Sequence, residues 1–170
     1  CHEVLMRDAL AAKLAVEKGA LTPAVENIIE ANTLLSGLGF ENCAVSAAHG
    51  IHDGLTALEE SHAFFHGEKV AFGVLCLLML EGRPLAEIEE TARFCKSLGL
   101  PTTLADLRLG KATAADIERV AKAAARWAAG ELKRLRGEYE ARVAYWRTTD
   151  VDPQVKQILL VDSDTHAKTM

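Results

Sequence analysis

The chain has 170 residues, 49% of them hydrophobic and 25% charged, which is the composition of one folded domain and excludes a disordered tract. Acids outnumber bases by 24 to 19, a net charge of −5, which argues against a nucleic-acid partner, since that would need a basic surface. The longest uncharged apolar run, Val70 to Leu80, is 11 residues and falls well short of the roughly 20 that cross a membrane. Four cysteines (Cys1, Cys43, Cys76, Cys95) stand far apart with no C-x-x-C pair, and read as small reduced thiols suited to the cytoplasm. The opening Cys-His-Glu-Val has neither a signal peptide nor an initiator methionine, so the sequence reads as processed or as a piece of something larger.

Alanine and leucine dominate, and most of the chain is expected to be helical. A first helix over about 3–17 ends at Gly19, a glycine placed where a left-handed residue closes a helix. Thr22-Pro23 opens the second, with threonine at the N-cap and proline at the first helical position. Val25, Ile28, Ile29, Leu34 and Leu35 form its apolar face, and Gly37 and Gly39 are expected to end it. A third helix is expected over about 44–59. The fourth, about 68–80, is apolar nearly all round, which puts it at the centre of the bundle with Leu77 in the core.

Leu85 to Leu98 repeats apolar residues at helical spacing and stops at Gly99. Pro101-Thr102-Thr103 caps a short turn through Leu107. Thr113, followed by Asp116 and Glu118, starts a last helix that reaches Tyr145 with interruptions at Gly130 and Gly137. Composition shifts near Arg126. Five arginines, both tryptophans and both tyrosines fall in 126–147, and 155–161 looks like a short strand before a polar tail. The domain expectation is therefore 1–125 and 126–170.

Four of six histidines (His49, His52, His62, His66) lie within eighteen residues. In A-A-H-G-I-H-D-G, His49 and His52 are three residues apart and share a helix face. A turn between helices would set His66, in H-G-E-K-V, opposite them. Paired imidazoles suit a borderline cation such as zinc, although this spacing alone also fits polar hairpin histidines. Asp53, Glu59 and Glu60 read as solvated carboxylates and Lys69 as a surface or capping lysine. There is no G-x-G-x-x-G, no G-x-x-x-x-G-K-[ST] and no G-x-S-x-G.

The runs T-P-A-V-E-N-I-I-E-A-N-T-L-L-S-G-L-G-F-E-N, A-A-H-G-I-H-D-G-L-T-A-L and H-G-E-K-V-A-F-G-V-L occur in that order. With them the chain, from Cys1 to about Ala123 and through G-L-P-T-T-L-A-D-L, resembles the C-terminal helical domain of the glycerol dehydrogenases. These belong to the metal-dependent, so-called iron-containing, alcohol dehydrogenase family. The resemblance implies an all-α helical bundle, the metal-binding domain of the dehydroquinate-synthase-like fold. It also implies an NAD-dependent polyol dehydrogenase that oxidises glycerol to dihydroxyacetone, holding one divalent metal (Zn2+, or Fe2+ or Mn2+), as a cytoplasmic homo-oligomer acting on a small polyol.

By the same resemblance His49 and His66 are metal ligands. His52 is the catalytic histidine turned toward nicotinamide and substrate, and Phe40 lines the substrate pocket. The third ligand, an aspartate in a G-D-A-L motif, lies in a part of those proteins with no counterpart here; Asp8, in R-D-A-L, falls at a different position. The G-E-T-I-H-N segment and closing helix expected after about Arg126 are absent. The alternative is a non-catalytic helical scaffold or oligomerisation module. Lacking a phosphate-binding loop, the purified chain mixed with zinc, NAD and glycerol should give no rise at the NADH absorbance band; a protein-dependent rise would contradict this reading.

Overall fold

The computed structural model describes residues 1–43 and 45–148, and every regular element among them is helical. The order is α1 (His2–Glu17), α2 (Pro23–Glu30), α3 (Ser36–Cys43), α4 (Ala47–Leu55), α5 (His66–Leu80), α6 (Leu85–Leu98) and α7 (Ala114–Thr148). A π-helical turn, Ala31–Leu35, joins α2 to α3, and a 3-10 turn, Glu59–Ala63, lies between α4 and α5. The chain falls into two units, Cys1–Ala125 and Arg126–Met170. The strand expected over 155–161 and the tail after it lie outside the described residues.

Within the first unit α1 packs on α2 and α6, α6 on α5, and α5 on α4. Helix ends follow local chemistry. Gly19, Gly82 and Gly99 take φ of +67°, +65° and +81°, the left-handed turn that stops α1, α5 and α6. Thr22 is extended ahead of Pro23, but its side chain makes no capping bond. At the start of α7, Thr113 Oγ1 accepts from Asp116 N while Asp116 Oδ2 accepts from Thr113 N and Oγ1. Thr103 and Asp106 repeat that reciprocal pair in the turn after α6.

The core is built from Leu55 at the end of α4, Leu58 just beyond it, Leu107 and Leu109 in the turn before α7, and Val120 on α7. Arg108, between the two buried leucines, adopts a positive φ of 61°, and its guanidinium stands over Phe64. Ser61 is fully buried, and its hydroxyl donates to the Leu55 carbonyl at 2.8 Å, tying the 3-10 turn to the end of α4. Two glycines set the helix approaches. The hydrogen of Gly73 on α5 faces the Ala48 backbone carbonyl, and a Cβ there would collide with it. A Cβ at Gly54 would come 2.5 Å from the Val120 carbonyl of α7.

Several expectations need correction. Gly37 and Gly39 do not end a helix: both lie within α3, whose backbone stays right-handed through them to Cys43. Glycine permits a stop but does not impose one. The third helix begins later than 44 and ends at Leu55, because Ser46 Oγ caps Ala48 N and the backbone extends at Leu58. Gly130 and Gly137 do not interrupt α7.

Helix α5 is not the centre of the core. It is flanked by α4 and α6, Leu77 is half-buried, and Met79 and Leu80 are exposed at its end. Cys95 is buried, Cys76 half-buried and Cys1 exposed, all as free thiols; burial pushes the Cys76 and Cys95 thiols up, which leaves them poor nucleophiles. Leu107→Ala should therefore cost about 2–5 kcal/mol, and Leu77→Ala clearly less. Urea unfolding checks the order, and a larger loss at Leu77 would return the core to α5.

Candidate functional site

The close approach of Gly73 to Ala48 puts the N-terminal turn of α5 against α4. His49 and His52 lie on one face of α4, and His66 is the first residue of α5. The three imidazoles meet. His66 lies 4.3 Å from His52 and 5.4 Å from His49, ring centre to ring centre. His66 Nδ1 and His52 Nε2 are 3.2 Å apart and share a hydrogen bond, with one ring donating and the other accepting. His49 Nδ1 is buried and has no hydrogen-bond partner among the described residues.

Burial, then the neighbouring His66, holds the His49 imidazole below the ordinary histidine value. His52 is lowered in the same way, first by burial, then by His66 and Lys69; the Asp53 carboxylate opposes this. Both rings are thereby kept neutral near pH 7, with a lone pair free to accept a proton or bind a cation.

The other residues singled out from the sequence are not all here. His62 stands apart, its Nε2 2.8 Å from the Thr56 carbonyl, where it fastens the segment after α4. Phe40 is on α3 and about half exposed, and it joins none of the ring contacts of the histidines. Asp8 is engaged elsewhere: Arg7 binds it and Asn27 Nδ2 donates to its Oδ2 at 2.8 Å, tying α1 to α2. Glu59 and Glu60 are exposed in the first turn of the 3-10 segment.

Lys69 is a correction. Read from the sequence as a surface or capping lysine, it is only 6% exposed, buried in α5 one turn beyond His66. The capping role belongs to Glu68, whose Oε2 accepts from Phe65 N at 2.7 Å. The signal that finds Lys69 is its position: His66, Lys69 and Gly73 share one face of an otherwise apolar helix.

The imidazoles are suitable nitrogen donors for a divalent cation, and the partnerless buried nitrogen of His49 fits a site that a ligand completes. They do not make a full set. No group of three or more His, Cys, Asp or Glu side chains among the described residues is arranged to hold a metal ion. No described helix is long and apolar enough to cross a membrane.

The helical bundle that carries the three histidines is shared with known proteins. Over about three quarters of its length the chain is a homologue of the glycerol dehydrogenases. It is 52% identical over 124 residues to the glycerol dehydrogenase of Thermotoga maritima, covering 73% of this chain and 34% of that protein. With the glycerol dehydrogenase of Citrobacter freundii it shares 46% over 123 residues, 72% of this chain and 34% of the relative.

The crystal structure of a probable glycerol dehydrogenase from Sinorhizobium meliloti 1021 matches with a TM-score of 0.71 at 72% identity, covering 73% of this chain and 35% of that one. Glycerol dehydrogenase from Schizosaccharomyces pombe also gives 0.71, at 43% identity, covering 73% and 32%. No family model matches the chain. The chain spans about a third of the length of the curated relatives it matches.

The histidine environment makes stability depend on pH with a definite sign. Unfolded, His49 and His52 titrate near about 6.5; folded, their proton affinity is lower, so the unfolded chain binds more protons as the pH falls. Their contribution is complete above about pH 6.5 and is lost as the pH drops below it. In chelator, the urea midpoint should fall between about pH 7 and 5, and fall less in the His49→Asn/His52→Asn variant. Equal pH slopes would show that the rings are not desolvated.

Proposed function

We propose that the chain is the metal- and alcohol-holding helical part of an NAD-dependent polyol dehydrogenase that converts glycerol to dihydroxyacetone. It would act with a nucleotide-binding domain that supplies the nicotinamide. The observation that carries this reading is the convergence of His49, His52 and His66, with one buried ring nitrogen left without a partner. His49 and His66 would hold a divalent ion, zinc first, with iron or manganese suited to the same donors. When bound, that ion supplies a Lewis acid that makes the alcohol easier to deprotonate.

The chain's own residues do the rest. His52 accepts the hydroxyl proton at its imidazole, and its hydrogen bond to His66 fixes the ring orientation. The low proton affinity of His49 and His52 keeps both neutral at working pH, the form in which they bind and accept. Phe40 lines the apolar side of the substrate pocket in this reading. Residues 1–125 are the functional domain and 126–170 an extension. In this reading the protein is a cytoplasmic homo-oligomer.

A second reading is favoured by the absence of a full ligand set among the described residues: a non-catalytic helical module that scaffolds or oligomerises. Calorimetric zinc titration of the wild type, His49→Ala and His66→Ala separates the two. The enzyme reading expects weak zinc binding by the wild type and its loss in both variants, since an incomplete shell binds without much strength. Equal affinity in all three would favour the scaffold.

A further inference from the structure

Four turns among the described residues close by the same pair of backbone bonds: one residue donates to the carbonyl three back, and the next donates to the carbonyl five back. Gly19 N bonds the Val16 carbonyl while Ala20 N bonds that of Ala15, and the turns at Gly82 and Gly99 repeat the pair. In those three the pivotal residue is a left-handed glycine, which without a Cβ suffers no clash. The fourth pivot is Arg108. Its N donates to Ala105 at 3.0 Å, Leu109 N donates to Leu104 at 2.7 Å, and φ is 61°. A side chain there strains the backbone where glycine would not, and such strain persists only where the surroundings uphold it.

What arginine adds is its guanidinium, which stands over the Phe64 ring at 5.8 Å from the ring centre. Phe64 packs against the core but also borders an open cavity of about 380 Å³ with Glu68, Lys96 and Thr103, so the core alone does not enclose the ring. It ends the 3-10 turn two residues before His66, and Phe65 N between them is held by Glu68 Oε2. Phe64 is thus the anchor at the entrance to α5, the helix that begins with His66. We propose that Arg108 is a positioning residue for the histidine face: stacked on Phe64, it steadies the 64–66 segment and with it the His66 ring against His52. The consequence for a bound cation rests on the reading of these histidines as its ligands; the geometric claim does not.

The test compares the wild-type 170-residue chain with Arg108→Gly and Arg108→Lys by NMR and urea unfolding. Glycine relieves the backbone and removes the guanidinium, whereas lysine keeps the strain and a cation. The metal-free wild type should show nuclear Overhauser effects between the Arg108 side chain and the Phe64 ring, and their absence would overturn the proposal without any variant. In Arg108→Gly the urea midpoint should hold or rise while the His52–His66 ring cross-peaks weaken. Arg108→Lys should keep most of their intensity at a midpoint no higher than that of the wild type. A residue that only stabilised the fold would do the opposite, lowering the midpoint in Arg108→Gly and leaving the cross-peaks of the folded chain as they were. That outcome, unweakened cross-peaks at any midpoint, or equal weakening in Arg108→Lys would each overturn the proposal. Zinc affinity should fall about threefold or more in Arg108→Gly, the loss of one cation–π contact. A wild type that binds no zinc refutes the metal reading alone, since the cross-peaks still decide the role of Arg108.

Discussion

The arrangement of the site depends on one backbone contact: Gly73 of α5 lying against the carbonyl of Ala48 on α4. Any side chain at 73 would hold the helices apart. With only hydrogen there, the first turn of α5 reaches the middle of α4, and His66 meets His52 and His49. On the other side of α4, Gly54 admits the backbone of α7 at Val120 just as closely, so α4 is held between two neighbours. Leu55, Leu58, Leu107 and Leu109 close the space below it. The histidines therefore sit on helices, which position side chains more firmly than loops do.

Electrostatics then determines what the histidine face can do. Burial lowers the proton affinity of His49 and His52, and the neighbouring His66 adds to the effect. His49 and His52 are thus neutral nitrogen bases at neutral pH. Neutral nitrogens attract cations and hydroxyl protons. A face that does both is suited to a polar alcohol held at more than one point. The homology to glycerol dehydrogenases, reached independently through sequence and structure, is consistent with that chemistry.

Much of this was legible in the sequence because the chemistry is local. Gly19, Gly82 and Gly99 stop helices through their own backbone conformation, and Thr113 with Asp116 starts one through a four-residue exchange of hydrogen bonds. His49 and His52 were readable as sharing a face, and His66 as facing them, from helical spacing and a turn. Gly37 and Gly39 look like stops, but glycine only permits one, and α3 runs on through both. The rest of what was not legible depends on partners distant in the chain. The apolar pattern of α5 suggests a central helix, but the core forms around residues of two turns and α7 that no periodicity announces. Lys69 looks solvated from its sequence, yet the fold leaves little of it exposed.

The account stands on the claim that Gly73 brings the histidines together, and the direct measurement is of ring-to-ring contact in solution. Nuclear Overhauser effects between the imidazole protons of His52 and His66 should appear in the metal-free wild type. In Gly73→Ala they should disappear while far-UV circular dichroism keeps its helical amplitude. The same cross-peaks in both proteins, or none in the wild type, would contradict the account.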